Sequence, residues 1–342
     1  MAPSIQPAPA QLAADPAWLP HALDLAARRV RFLRLPRETL GERTFLHERQ
    51  PASPDEEASA SFAEVAEMNV ASGPVHFLFH TAFCRSTLLA RALDVPGVSV
   101  GLSEPGILGA LVSAGGEAPE LLAPVLDLLS RPHAPGEVVV VKPTNHANAL
   151  IPAIMQARPD ARAVLMTSGL EPFLAAVARK GLIGRRWGRM LYLELQGYAP
   201  MDFGMDAREQ YAMTDMQAAG LAWFMGQRWL AMQLDGPAGG RMRTLDGDAF
   251  AADSAGTLCA LAGFLDLSLE EEDARRIAGG PLFASHAKSG EAYDAARLAA
   301  DARADSAIVR EEIAQVARWV GMITQQAGLA LPVTRRAPLL ER

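Results

Sequence analysis

The chain has 342 residues, half of them hydrophobic and 21% charged, with 32 Lys plus Arg against 39 Asp plus Glu. That composition excludes general disorder and is ample for a core without covalent staples. The formal net charge of −7 argues against sequence-independent nucleic-acid binding, which depends on phosphate neutralisation.

The cysteines are Cys84 and Cys259. They build neither a disulfide framework nor a multi-cysteine metal site, and a reduced, cytoplasmic compartment is the simplest reading. Residues 1–18 have no basic n-region and no apolar h-region, so they do not form a secretory signal. No uncharged apolar run reaches the length of a bilayer span, so no membrane partner is expected.

Residues 1–16 are Pro- and Ala-rich and read as a loose arm. Residues 17–50 (AWLPHALDLAARRVRFL at their start) read as a helix followed by irregular structure, and 51–61 as a solvent loop. This makes 1–74 an arm and helical extension, and 75–330 the main domain.

Five apolar runs of strand type follow: Val75–Phe79, Val98–Leu102, Val138–Val141, Ala163–Met166 and Met242–Leu245. Uninterrupted β-branched runs suit strands buried on both faces. Helical patterns alternate with them at Ile107–Ser113, Leu121–Leu129, Ala147–Gln156 and Phe173–Arg179. Helices are expected at 207–234, 254–265, 269–278 and 306–327. Strand–helix alternation predicts one α/β domain, a parallel sheet of about four to five strands flanked by helices, with helical additions.

The segment Phe77–Asp94 (FLFHTAFCRSTLLARALD) carries most information. A strand runs into a polar turn and then a helix, a place that favours a bound phosphate or sulfate. Arg85 adds a cation, and Ser86 and Thr87 add hydroxyls; a βα turn with a capping Ser explains the same residues. It is not a Walker A loop, because no glycine lies between Leu78 and Asp94. Cys84 sits beside Arg85, which lowers a thiol pKa. A phosphatase-type Cys-x5-Arg loop would need Arg at 90, where Ala90 stands, so a packed thiol is expected.

These residues resemble the P-loop sulfotransferase family. Its first loop reads approximately PRSGTTLLARLLD, against CRSTLLARALD here. Leu102–Pro105 (LSEP), Val138–Pro143 (VVVVKP), 157–166 (ARPDARAVLM), 244–267 and 286–299 resemble later family segments in the same order. The resemblance covers roughly residues 75–327 and implies a P-loop NTPase-like fold. It also implies 3′-phosphoadenosine 5′-phosphosulfate as sulfuryl donor and a small-molecule hydroxyl or amine acceptor, with no metal.

On this frame the catalytic candidates are Glu104 as base, His80 as the alternative base, and Arg85 and Lys142 as charge stabilisers. Cys84, Arg85, Ser86, Thr87, Ser168, Arg179 and Lys288 are the donor-binding candidates. His286 accompanies Lys288, and Asn145, His146 and Asn148 follow Lys142. Two departures stand out. The loop lacks the family's Gly, and Thr167-Ser168-Gly169-Leu170-Glu171-Pro172 offers no Arg for the donor's 3′-phosphate. The basic cluster Arg179, Lys180, Arg185, Arg186 and Arg189 could supply that charge, or could be a solvated helix face. A P-loop kinase or nucleotide-binding protein, and a non-catalytic relative, remain the alternatives.

Overall fold

Apart from the five strands of the main domain, the N-terminal part also folds as sheet. A computed structural model describes residues 7–42, 44–51, 53–284, 306–325, 331 and 333–340. Strands β1 (Trp18–Asp24), β2 (Arg29–Arg34) and β3 (Glu57–Ser61) form an antiparallel sheet in that order. This replaces the helix expected within 17–50 and the solvent loop expected at 51–61. The turn between β1 and β2 uses Asp24 Oδ1 to accept the Ala27 N–H, and Arg28 takes a positive φ of 49°.

The described part of the arm, residues 7–16, is not loose either. Pro9–Ala14 is a short helix. The guanidinium of Arg131 donates to the carbonyls of Leu12 (2.5 Å), Ala13 (3.2 Å), Asp15 (2.9 Å) and Trp18 (2.5 Å). Burial pulls its pKa down to about 10, as expected for a cation held by carbonyl dipoles away from water.

The apolar runs all become strands: β4 (Val75–His80), β5 (Ser99–Ser103), β6 (Val138–Lys142), β7 (Ala163–Thr167) and β8 (Met242–Asp246). Every residue of β4, β6 and β7 is buried. The sheet is parallel, in the order β5-β6-β4-β7-β8, and flanked by helices. This is the α/β class expected, with β4 at its centre. Ser99 pairs with Val138, and Ser103 with Lys142.

The chain divides into two compact units. One comprises Met1–Phe79, Ser86–Val164 and Ser254–Ser289; the other comprises His80–Arg85, Leu165–Asp253 and Gly290–Arg342. The second is mainly helical, with Leu170–Arg179, Gly181–Tyr198, Asp215–Asp235 and Ala307–Thr324 around a core that includes Phe173, Val177, Phe224 and Val320. The Gly181–Tyr198 helix was expected only as one reading of the basic cluster, with no bounds assigned. A Cβ at Gly184 would lie 2.3 Å from the Val177 carbonyl oxygen, and one at Gly188 would lie 2.6 Å from Ala219 Cβ. Both glycines therefore let this helix approach its neighbours more closely than a side chain would permit. Among the described residues no helix is long and apolar enough to cross a membrane.

Three histidines of the first unit, His21, His76 and His133, have pKa values pushed below 6.5, in each case chiefly by burial. His76 Nδ1 accepts the Arg162 N–H at 3.0 Å, so protonating it breaks a buried bond. A depressed folded-state pKa gives stability that is complete above the unfolded value and is lost as pH falls below it. Stability should thus decline on acidification from pH 6.5. His76→Asn, followed by thermal melts from neutral to about pH 5, should flatten that slope. An unchanged slope would remove His76 from the account.

Candidate functional site

Residues assigned from sequence fall in both units. In the second, the turn after β4 is built from His80 to Arg85. Thr81 N donates to the Met166 carbonyl at 2.9 Å, and Thr81 Oγ1 to Thr167 Oγ1 at 3.0 Å. Cys84 is fully buried and its Sγ donates to the Thr81 carbonyl at 2.9 Å. This is the packed thiol expected, and only its backbone is left to meet a ligand. His80 is buried, with Nδ1 2.9 Å from the Thr81 carbonyl oxygen.

Phe83 and Arg85 both adopt positive φ, 61° and 69°, while Cys84 between them does not. A backbone whose φ alternates in sign turns successive N–H groups to one side and forms an anion-binding concavity. The conformation that glycine supplies in such loops is here imposed on two L-residues. Phe83 is held by ring contacts with Phe173 and Trp187, at centroid distances of 5.9 and 5.2 Å. On the other side, the turn leading out of β8 presses on the loop: a Cβ at Gly247 would lie 2.3 Å from the Cys84 carbonyl oxygen. Arg85 pairs with Asp248 at 3.2 Å, both half-exposed. The loop leads directly into the helix Ser86–Ala92, whose Ser86 and Thr87 are buried.

At the end of β7 lies a polar knot. Gln227 Nε2 donates to Thr167 Oγ1, Gln227 Oε1 accepts the Val333 N–H at 3.0 Å, and Trp223 Nε1 donates to the Ser168 carbonyl at 2.8 Å. Ser168 is 3% exposed, and its Oγ has no hydrogen-bond partner. A buried hydroxyl in that condition is costly and is explained by a ligand or a water.

The basic cluster does not converge. Arg185 makes a bidentate pair with Glu312 at 2.7 and 2.6 Å, which raises its pKa. Arg189 donates to Asp215 Oδ1 at 2.5 Å and to the Met213 carbonyl. These two cations tie the Gly181 helix to its neighbours. Arg179, Lys180 and Arg186 are exposed.

In the first unit the structure brings Glu104 and Lys142 together. Lys142 Nζ lies 2.5 Å from Glu104 Oε1, with the Lys side chain 0% and the Glu side chain 13% exposed. The two join because Ser103 and Lys142 are register partners on β5 and β6. Glu104 has a φ of 53° and is clamped through its backbone. Its N–H donates to the Lys142 carbonyl at 2.7 Å, and its carbonyl accepts the His47 N–H at 3.1 Å. His47 Nδ1 is also 3.6 Å from Glu104 Oε2, and the Phe45 ring centroid lies 5.6 Å from Lys142 Nζ. His47, Phe45, Asp248 and Gln227 were not found from sequence; nothing in their local patterns marks them.

Asn145, His146 and Asn148 lie in a 3-10 turn, Asn145–Leu150. Lys288 and His286 fall outside the described residues. Among the described residues no three His, Cys, Asp or Glu side chains are grouped to hold a metal.

No protein-family model matches the chain, and no curated protein does. Six solved chains match it structurally. One is described as a sulfotransferase domain from the curacin biosynthetic pathway. It is 12% identical with a TM-score of 0.40, over 77% of this chain and 100% of that one. A likeness of that size says nothing about activity or ligand.

Proposed function

We propose that the chain is a sulfotransferase-like transferase that moves a sulfuryl group from 3′-phosphoadenosine 5′-phosphosulfate to a hydroxyl or amine of a small acceptor. The observation that carries this reading is the turn after the central strand β4. Phe83 and Arg85 have positive φ and Cys84 between them does not, an alternation of the kind that makes anion-binding nests, here without the usual glycine. The turn occupies the C-terminal edge of a parallel sheet, where ligands of such sheets bind.

One buried side chain near the turn supports a nucleotide donor. Ser168 Oγ, buried and unpartnered, stands at the end of the strand next to β4, in the stretch where the family resemblance implies an Arg for the 3′-phosphate and this chain has none. Within the second unit, Arg85 would hold the phosphosulfate end and Ser168 the 3′ end; Ser86 and Thr87, the next residues of the chain, are donor-binding candidates from the resemblance alone. When bound, the donor supplies the sulfuryl group and keeps the electron pair of its broken S–O bond. Glu104 would take the proton of the acceptor hydroxyl as the new bond forms, a role that rests on the resemblance of Leu102–Pro105. Lys142 and His47 hold that carboxyl from two sides.

Calorimetry with 3′-phosphoadenosine 5′-phosphate tests the reading. Wild type should bind, and Arg85→Ala should bind at least about tenfold more weakly, the usual worth of a charge-assisted bond to phosphate. Absence of heat and of a melting shift at millimolar ligand would refute donor binding.

A further inference from the structure

The Gly181–Tyr198 helix is amphipathic in an unusual sense. The face it turns to the second unit's core carries Gly184, Gly188, Leu191, Tyr192 and Leu195. The opposite face is also apolar. Leu182 is 84% exposed, Ile183 81%, Met190 54% and Leu193 55%. At 3.6 residues per turn these four and the exposed Arg186 fall within a sector of about 100°. Scattered exposed apolar side chains are ordinary, but four in one stripe mark an interaction face.

Charge says what the face meets. Residues 172–193 contain Arg179, Lys180, Arg185, Arg186 and Arg189 and no Asp or Glu, in a chain of net charge −7. Arg185 and Arg189 are used internally by Glu312 and Asp215. Arg186 is exposed in the middle of the sector; Lys180, also exposed, caps the helix N-terminus outside the stripe, its Nζ 6.0 Å from the Phe83 ring centroid.

A second copy fits poorly. A twofold contact centred on the stripe would set Arg186 against Arg186, while the helix's one carboxylate, Glu194, lies outside the stripe and is only partly exposed. A nucleic acid fits poorly too. Leu182, Ile183, Met190 and Leu193 are aliphatic and offer no ring on which a base could stack. Aliphatic side chains flanked by cations on an exposed helix suit an anionic lipid surface, where the apolar groups enter the acyl boundary and the cations meet headgroups.

We infer that the outward face of the Gly181–Tyr198 helix docks the protein on anionic lipid bilayers. The sequence excluded a membrane partner for want of a spanning run; lying in the interface needs none. The inference does not depend on the proposed transfer reaction.

Co-sedimentation of the full chain with vesicles tests it, comparing pure phosphatidylcholine with an equimolar phosphatidylserine–phosphatidylcholine mixture. The protein should sediment with the anionic vesicles only. Lys180→Gln/Arg186→Gln should weaken partitioning roughly thirtyfold, on the usual scale for two juxtamembrane cations. Leu182→Ser/Ile183→Ser should weaken it at least about tenfold. All four side chains are exposed, and circular dichroism will verify that the variants fold. Sedimentation with neither vesicle, or equally with both, overturns the inference. So does loss on removing charge but not apolar groups, joined to displacement by single-stranded DNA, which would assign the face to a nucleic acid. A concentration-dependent dimer abolished by Leu182→Ser would assign it to a second copy and overturn it as well.

Discussion

Lys142→Met is expected to destabilise the protein by about 3–5 kcal/mol, the usual cost of stranding one member of a buried ion pair. The lysine side chain is wholly buried and its ammonium sits 2.5 Å from Glu104 Oε1. Methionine keeps most of the stem's volume, so the loss is mainly electrostatic. Glu104 cannot simply turn to water, because its backbone is fixed at positive φ by bonds to Lys142 and His47. Urea denaturation of Lys142→Met, Glu104→Gln and the double variant measures the pair. The double variant should recover most of the loss, since a neutral amide no longer needs the cation. A single-variant cost below about 1 kcal/mol would show the pair to be solvated and worth little.

The second large effect is expected at Arg131. Its guanidinium is buried and donates to five backbone carbonyls, those of Leu12, Ala13, Asp15, Trp18 and Leu128. Arg131→Met leaves those carbonyls facing an apolar stem and should cost about 3–5 kcal/mol, several unsatisfied buried acceptors at once. Arg131→Lys should restore only part of it, because a point charge cannot span the same fan of acceptors. Hydrogen exchange locates the effect: amides of residues 9–18 should lose protection before those of β4 and β6. Unchanged exchange there would mean that the segment is held by its apolar contacts, Leu12 and Trp18, instead.

The main sheet was legible because most of its strands are short apolar runs, the four valines of β6 the clearest of them, and such runs have few other ways to be buried. The N-terminal sheet was misread for the converse reason. Ala22, Leu23, Leu25, Ala26 and Ala27 have helical propensity, which sheet pairing overrides at Ala22 and Leu23 and the Asp24 turn at Leu25–Ala27. The alternation in Arg29-Val30-Arg31-Phe32 was the available signal of a strand. The bounds of the Gly181 helix escaped because its glycines lower intrinsic propensity; they serve packing that only the tertiary structure creates.

Site residues were legible where they lie next to one another in the chain, as in Arg85, Ser86 and Thr87. Pairings across the fold were not. Glu104 and Lys142 lie 38 residues apart, and Arg185 finds Glu312 127 residues away. Electrostatic partners at such separations follow from strand register and helix packing, which no local pattern encodes. That is why the five cations looked available in the sequence and two of them proved to be internal ties.

The contact between Gly247 and the Cys84 carbonyl has a wider consequence. With no room for even a methyl group there, the curved peptide is braced from outside as well as by the Phe83 ring stack, and its shape is set by the resting fold. On the proposed reading, an anion would meet a receptor whose conformational entropy has already been spent in folding, so its capture would incur little ordering cost.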